Sequence, residues 1–121
     1  MRTETSPTET VVRDHLRNFL EQRGIDAIVA DYHENARFYT EARIYRGRAE
    51  IQSFFTDFIG SLPDGAIDHF ALRSQQVEGN IAYITWSVGS DVPLGTDTLV
   101  VENGKIIAQS FAMYAAGAQE S

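Results

Sequence analysis

Residues 96–115 read TDTLVVENGKIIAQSFAMYA, and this stretch decides the fold. Two runs rich in β-branched and apolar residues flank Asn103-Gly104, a dipeptide that favours the tight turn of a β-hairpin. The pattern predicts two strands, at residues 96–101 and 105–115. Because side chains alternate along a strand, each strand should present one inward and one outward face.

The segments before this hairpin show the same period of two. Strands are predicted at residues 69–77 and 81–88, with Glu78-Gly79-Asn80 as the turn between them. A second break is expected around residues 93–95, which include a proline and a glycine. The second half of the chain is therefore predicted to be a meander of strands.

The first half of the chain has helical periodicity instead. Apolar residues recur at helical spacing within residues 11–24, which predicts a first helix with Thr8 or Thr10 as its N-cap. Asp26 is expected to cap a short second helix that includes Tyr32.

A third helix is predicted at residues 48–62, where an apolar stripe ends at the turn Pro63-Asp64-Gly65. Residues 38–45 are rich in aromatic and β-branched residues and are expected to form one strand or a bent hairpin. Helices followed by a strand meander indicate an α+β fold, with the helices on one face of a curved antiparallel sheet.

The ends of the chain are polar and lack this periodicity. Residues 1–10 are expected to form a frayed leader and residues 117–121 a flexible tail. Residues 11–116 are predicted to form a single domain, because a chain of this length can bury a core without disulfides or metal.

Net charge and cysteine content argue against several classes of binding partner and site. The chain has 121 residues and a net charge of −7, which repels phosphate backbones and anionic lipid and argues against nucleic acid and membrane surfaces as partners. The absence of cysteine excludes disulfides, thiolate nucleophiles and cysteine-ligated zinc. With neither a long apolar run nor a secretory signal in view, the expected location is the cytoplasm.

Three strings in order, Gly24-Ile25-Asp26, YRGRAEI at 45–51 and DTLVVENGKI at 97–106, give the chain a family resemblance. Over residues 8–115 it resembles the nuclear-transport-factor-two-like superfamily, and most closely its SnoaL-like and ketosteroid-isomerase-like members. The resemblance implies a cone in which three N-terminal helices pack in a curved, mainly antiparallel sheet around an apolar pocket. It also implies a homodimer through the outer sheet face, while function varies widely on this fold.

Asp97 is the leading candidate for a catalytic group. Alternation places its carboxyl on the same strand face as Leu99 and Val101. On such an apolar face a charged side chain is unfavourable unless a partner or a function accounts for it. The resemblance implies the role of the isomerases' buried acid, which stays protonated and donates to an enolate oxygen. The alternative is that Asp97 is solvated at the strand mouth, or bonded to turn amides there.

His15 is the second candidate. It lies where the isomerases carry an oxyanion-hole tyrosine, and imidazole either donates a hydrogen bond or accepts a proton near neutral pH. Beside Asp97 it would form an acid–base pair in which the carboxylate orients the ring. The alternative is a half-buried helix histidine that serves only packing.

Two positions depart from the isomerase pattern. Thr40 falls where the isomerases carry their proton-shuttling aspartate, and a hydroxyl cannot act as that base, so the sequence does not support steroid isomerisation by that route. The neighbouring Glu41 would replace it only if the strand is bulged. Phe55 stands where a supporting tyrosine is expected, which makes the pocket drier.

Further residues are expected to contact the ligand. If alternation holds, the pocket wall includes Thr40, Phe55, Trp86, Val88, Leu99, Gln109, Phe111 and Met113. Gln109 is singled out because an inward amide needs a hydrogen-bond partner, which would be Asp97, a water or the ligand. His33 and His69 lack the spacing of metal ligands, so no metal site is predicted.

The sequence is compatible with two functions. The first is a small enzyme of isomerase, cyclase or dehydratase type that needs no cofactor and moves a proton on an apolar, carbonyl-bearing or polycyclic metabolite, with Asp97 and His15 as its polar pair. A polyketide-cyclase-like reaction fits this class, whereas the Asp-Arg-Asp arrangement of epoxide hydrolases is missing. The second is a ligand-binding or dimeric accessory protein without chemistry, which Thr40 and Phe55 favour.

Overall fold

The computed structural model describes residues 6–114; residues 1–5 and 115–121, which include part of the predicted leader and all of the predicted tail, lie outside it. The described chain forms three α-helices, one short 3-10 helix and six strands. In order they are α1 (Pro7–Leu20), α2 (Ile25–Val29), β1 (Tyr32–Tyr39), β2 (Ile44–Arg46), α3 (Gly47–Ser61), the 3-10 helix (Ala66–His69), β3 (Phe70–Glu78), β4 (Ile81–Val88), β5 (Val92–Glu102) and β6 (Lys105–Tyr114).

The strands form one mixed sheet in the order β2-β1-β6-β5-β4-β3. Neighbouring strands are antiparallel except β1 and β6, which run parallel. Register shifts interrupt every pairing but that of β1 with β2, and such irregularities bend a strand. The expected α+β fold, with three N-terminal helices packed in a curved, mainly antiparallel sheet, is confirmed.

Helix α1 begins earlier than expected. Ser6 and Glu9 form a capping box, in which the Glu9 amide donates to Ser6 Oγ at 3.1 Å and the Ser6 amide donates to the Glu9 carboxylate at 3.2 Å. The predicted caps are therefore wrong, and residues 7–10, assigned to the leader, are helical. The Thr8 hydroxyl instead donates to the main-chain oxygen of Gly79, which ties α1 to the turn between β3 and β4.

Tyr32 lies on a strand and not on the predicted second helix. Helix α2 ends at Val29, and the Ile106 amide donates to the main-chain oxygen of Asp31, which starts the pairing of β1 with β6. Ile106 lies some 75 residues after Asp31 in the chain, so no local sequence pattern predicts this pairing. Strand β1 then turns at Thr40 into β2, which confirms the hairpin interpretation of residues 38–45.

Strand β5 is longer than predicted because the expected break at residues 93–95 lies inside it. Leu94 and Gly95 pair with Tyr114 and Met113 of β6. Pro93, which has no amide hydrogen, falls where the register between β5 and β4 shifts, a position that tolerates proline.

The core lies between α3 and the inner face of the sheet. Phe38 of β1 is fully buried, and the rings of Phe54 and Phe55 on α3 lie 4.5 and 5.7 Å from it, centroid to centroid. Phe111 of β6 contacts Phe38 at 6.0 Å. Aromatic pairs of this kind contribute about 0.5–1.5 kcal/mol each beyond the burial of their area. The apolar stripe of α3 is thus covered by the sheet.

Gly95 allows Trp86 to lie flat on the neighbouring strand. The two residues are register partners in β5 and β4, and a Cβ atom added at Gly95 would lie 2.3 Å from Cε2 of the indole. Trp86 is buried and there is no free space between its indole and Gly95, so any larger residue at position 95 displaces the indole.

Gly95→Ala is therefore expected to lower the free energy of unfolding by about 1–3 kcal/mol, the usual range for overpacking. Urea denaturation followed by the fluorescence of Trp86, the only tryptophan, measures this directly. Gly60→Ala is the matched control, because Gly60 is helical with no neighbour within 4 Å of an added Cβ, and alanine should stabilise α3 slightly. Equal stabilities of the Gly95→Ala and wild-type proteins would refute the contact.

Candidate functional site

One cavity combines an apolar wall with buried polar groups. Its free volume is about 60 Å³, and it lies between the helices and the inner face of the sheet. The wall is formed by Val12, His15, Leu16, Phe19, Phe38, Phe55, Phe58, Leu62, Ala66, Ile67, Phe70, Ile84, Trp86, Val88, Asp97, Leu99, Gln109 and Phe111. Three of these residues, His15, Asp97 and Gln109, are buried polar side chains.

Asp97 points into this cavity from β5. Its strand neighbours Thr96 and Thr98 face the other side, and only 6% of Asp97 is exposed, so the alternative of a solvated carboxylate at the strand mouth is wrong. Trp86 Nε1 donates to Oδ1 at 2.6 Å, and Gln109 Nε2 donates to Oδ2 at 2.6 Å.

The environment of Asp97 shifts its proton affinity. Burial raises the pKa of the carboxyl from 3.8 to about 6, because the charged form loses its hydration. The hydrogen bonds from Trp86 and Gln109, together with the nearby His15, oppose this rise in pKa. Asp97 therefore exchanges its proton close to neutral pH.

Gln109 has the partner that its inward position required. Its amide nitrogen donates to Asp97, and its amide oxygen accepts a 2.5 Å hydrogen bond from the hydroxyl of Tyr32. The pairing rests on topology, because β6 lies between β1, which carries Tyr32, and β5, which carries Asp97. No buried side-chain nitrogen or oxygen atom lacks a partner within residues 6–114.

His15 is buried on α1, but the carboxylate that orients its ring is Asp31 and not Asp97. His15 Nδ1 lies 2.8 Å from Asp31 Oδ2, which also accepts from Asn18 Nδ2 at 3.0 Å. The other ring nitrogen, Nε2, lies 3.3 Å from the Tyr32 hydroxyl oxygen. The expected direct pair is thus replaced by a chain of hydrogen bonds from His15 through Tyr32 and Gln109 to Asp97.

Sequence reasoning missed Tyr32 as a member of the site. Burial raises the pKa of its phenol well above the ordinary value of 10, and the carboxylates of Asp97 and Asp31 add to the rise, so the hydroxyl keeps its proton. No clear sequence signal pointed to it, because the alternation at Ala36 and Phe38 stops at the exposed Glu34 and the register with β6 shifts between Tyr32 and Arg37. The pairing of Asp31 with His15 had no signal in the sequence.

Two of the expected ligand contacts lie outside the cavity wall. Thr40 sits in the turn between β1 and β2, where its hydroxyl donates to the main-chain oxygen of Arg43 and accepts from the Ala42 and Arg43 amides. Met113 is 38% exposed, because it lies two residues beyond Phe111 towards the end of β6.

The other predicted wall residues do line the cavity: Phe55, Trp86, Val88, Leu99, Gln109 and Phe111. Glu41, the candidate replacement for the missing aspartate at Thr40, is exposed in the turn after β1 and does not reach the cavity. Within residues 6–114, no three His, Asp or Glu side chains are arranged to hold a metal ion, and no helix is long and apolar enough to cross a membrane.

The buried carboxyl has a measurable effect on stability. With a pKa near 6 when folded and 3.8 when unfolded, Asp97 holds more proton in the folded state between these values, so stability falls as the pH rises from about 4 to 6. The shift corresponds to about 3 kcal/mol. We expect Asp97→Asn to be more stable than wild type by up to that amount at pH 7, with a smaller difference at pH 4, in urea denaturation.

Asp14→Asn provides a matched control, because Asp14 is an exposed acid on α1 whose removal should not change the pH dependence. A difference between the Asp97→Asn and wild-type proteins that stays constant from pH 4 to pH 7 would show that the carboxyl does not titrate in this range.

The family and fold of the chain are shown by comparison with known proteins. The model of the SnoaL-like domain matches residues 12–109. No curated protein matches the chain. A SnoaL-like protein of unknown function from Burkholderia thailandensis E264 shares the fold with a TM-score of 0.75 at 10% identity, over 94% of this chain and 100% of that chain.

Two further structures of the same fold carry more specific names. A candidate polyketide cyclase from Sinorhizobium meliloti has a TM-score of 0.70 at 14% identity, over 89% of this chain and 100% of that chain. TerC, co-crystallised with polyporic acid, has a TM-score of 0.71 at 15% identity, over 95% of this chain and 97% of that chain. These identities speak for the fold alone, whereas the domain model spans most of the sequence. The chain therefore belongs to the SnoaL-like family.

Proposed function

We propose that the cavity binds a small, mostly apolar ligand that carries a carbonyl group, and that Asp97 moves a proton on it. The observation that carries this proposal is a carboxyl 6% exposed in an apolar cavity, with a pKa of about 6. A general base works best when its pKa lies near the working pH, and burial is the usual way to bring a carboxylate there.

The proposed step is proton abstraction from the carbon next to the carbonyl. Each oxygen of Asp97 accepts one hydrogen bond, from Trp86 or Gln109, which leaves lone pairs to accept a proton. The C–H bond breaks, an O–H bond forms on Asp97, and the electron pair moves into an enolate. Return of the same proton to another carbon completes an isomerisation without cofactor or metal.

Gln109 is the proposed donor to the enolate oxygen. Its amide nitrogen carries two hydrogens, of which one is used by Asp97. The second is available to a carbonyl oxygen bound beside Asp97, because Gln109 is part of the cavity wall. A donor fixed in place before the reaction stabilises the developing charge at little reorganisation cost.

The cavity volume limits the ligand. At about 60 Å³ it is well below the roughly 300–1,000 Å³ of pockets for drug-sized ligands. It is also below the roughly 150 Å³ cavity that admits benzene. A single-ring ligand is therefore the best fit, and even this ligand requires Phe58, Leu62 or Phe70 of the wall to move. The names of two structural neighbours, one a candidate polyketide cyclase and one crystallised with polyporic acid, support the choice of a cyclic organic ligand.

The alternative is a SnoaL-like protein that binds a ligand without reaction. Phe55 makes the wall opposite the sheet apolar, and Thr40 is committed to a turn, so the cavity lacks the second acid of the isomerase pattern. The raised pKa and full burial of Asp97 favour the catalytic proposal over this one, because a passive apolar pocket gains nothing from a buried acid.

The test uses cyclic ketones and β,γ-unsaturated cyclic ketones of one ring as probes. Deuterium exchange next to the carbonyl, followed by NMR in D₂O, reports proton abstraction, and Trp86 fluorescence reports binding. We expect Asp97→Asn to lower the exchange rate by about 10²–10⁴-fold, the usual contribution of a general base, with little change in binding.

Asp14→Asn is again the control and should exchange at the wild-type rate. Exchange by Asp97→Asn at the wild-type rate would remove Asp97 from the mechanism. Binding of the probes to the wild-type protein with no exchange above the buffer rate would favour the alternative of a binding protein.

We also propose that the chain forms a homodimer through the outer face of its sheet. Two rows of outward side chains cross β4, β5 and β6 in register, and none of them is charged. They are Tyr83, Thr98 and Ser110 in one row and Thr85, Thr96 and Ala112 in the other. Large uncharged sheet surfaces are common at interfaces between identical subunits, where charged residues are depleted.

Thr98→Lys places a charge in the middle of this face and is expected to convert the dimer to monomers, as measured by sedimentation velocity. Ser53→Lys, which introduces the same charge at an exposed position of α3 away from the sheet's outer face, should leave the dimer intact. A wild-type protein that sediments as a monomer at micromolar concentration would contradict the proposed interface.

A further inference from the structure

The hydrogen bonds leading to Asp97, in the directions described above, define one arrangement of the protons along the chain of residues from His15 to Asp97. Gln109 donates to Asp97, so its amide oxygen faces Tyr32 and accepts the only hydroxyl hydrogen that Tyr32 has. The Tyr32 oxygen is then left as an acceptor for His15 Nε2, 3.3 Å away.

The other side of the His15 ring is fixed as well. Asp31 only accepts hydrogen bonds, so His15 Nδ1 at 2.8 Å must carry a hydrogen. With hydrogens required on both ring nitrogens, this arrangement contains an imidazolium next to the Asp31 carboxylate and an ionised Asp97 at the far end.

A second arrangement satisfies the same atoms. If Asp97 is protonated, it donates to the amide oxygen of a rotated Gln109, whose nitrogen donates to Tyr32, whose hydroxyl donates to a neutral His15. Both arrangements hold the same number of protons, but only the first leaves Asp97 able to accept one. Asp31, the partner of His15, favours the first arrangement, because a neighbouring carboxylate stabilises the imidazolium.

We propose that Asp31 and His15 form a remote ion pair that acts through the Tyr32 hydroxyl and the Gln109 amide to hold Asp97 in its ionised, proton-accepting form. This inference rests on the proposed function, in which Asp97 is the base. Asp31 and His15 are then positioning residues for the reaction, although neither needs to touch the ligand.

The surrounding charges are few. His15 is faced by Asp31, by Tyr32 of β1 and, through space, by Asp97 of β5. Asp97 is faced by His15 and Tyr32. Lys105 of β6 and Arg48 of α3 lie close by, where they bond the main-chain oxygens of Ala30 and Tyr32. In the described chain, Asp31 is the only carboxylate that bonds the His15 ring.

The test measures the proton on Asp97 without any ligand. Proteins with ¹³C-labelled aspartate are titrated by NMR, and the carboxyl signal of Asp97 is assigned by its loss in Asp97→Asn. We expect Asp31→Asn to raise the pKa of Asp97 by about one unit or more, the usual size of a shift from a neighbouring charge, because the ion pair no longer supports the first arrangement.

Tyr32→Phe then separates the hydrogen-bond chain from a field effect through space. In the Tyr32→Phe background, the Asp31→Asn change is expected to lose most of its effect on Asp97, as in a double-mutant cycle between coupled groups. Asp14→Asn and Tyr83→Phe are the matched acid and hydroxyl controls, and neither should move the Asp97 signal. Amide spectra with native dispersion establish that each variant is folded.

Two results would overturn the inference. One is a pKa of Asp97 that stays the same or falls in Asp31→Asn, since the loss of a negative charge alone favours ionisation of its neighbours. The other is an equal rise with and without the Tyr32 hydroxyl. Because no ligand is used, a relay found without ketone exchange would leave this inference standing while the proposed reaction fails.

Discussion

The burial of one carboxyl is the constraint on which the rest of the structure depends. Asp97 stands in an apolar cavity, and an ionised group there is tolerated only because two N–H donors reach its oxygens. Each donor is fixed by a further contact, since Gly95 leaves room for the indole of Trp86 and Tyr32 holds the amide of Gln109. The packing of the sheet and the geometry of the site are therefore the same set of interactions.

This arrangement raises the proton affinity of Asp97 and lowers the stability of the folded protein at neutral pH. The raised pKa of Asp97 means that the folded protein bears the cost of an incompletely solvated charge at neutral pH, which a neutral amide would not. Such a cost at a single position is typical of functional sites, where activity requires a group that folding alone would not select. His15 and Asp31, whose Nδ1 and Oδ2 atoms lie 2.8 Å apart, form the other end of the same chain of hydrogen bonds.

The sequence by itself was sufficient for the parts of the fold that local patterns govern. Alternation around Asn103-Gly104 predicted the hairpin of β5 and β6, and the apolar stripe of residues 48–62 predicted α3 to within a residue at each end. The same alternation predicted that Gln109 needs a partner and favoured an inward Asp97, although it left open a solvated or turn-bonded carboxyl, and the structure places Asp97 inward. The family resemblance then supplied the cone and the cavity, which the fold and the domain match support.

Only the tertiary structure decided which polar groups meet. The parallel pairing of β1 with β6 carries Tyr32 to Gln109, 77 residues away in sequence, and the end of α2 places Asp31 beside His15. A local period of 2 or 3.6 residues specifies which face of an element is buried, but not which element lies across from it. Strand order, register shifts and hydrogen-bond geometry between distant segments set that choice, which is why His15 and Asp97 are joined only through Tyr32 and Gln109.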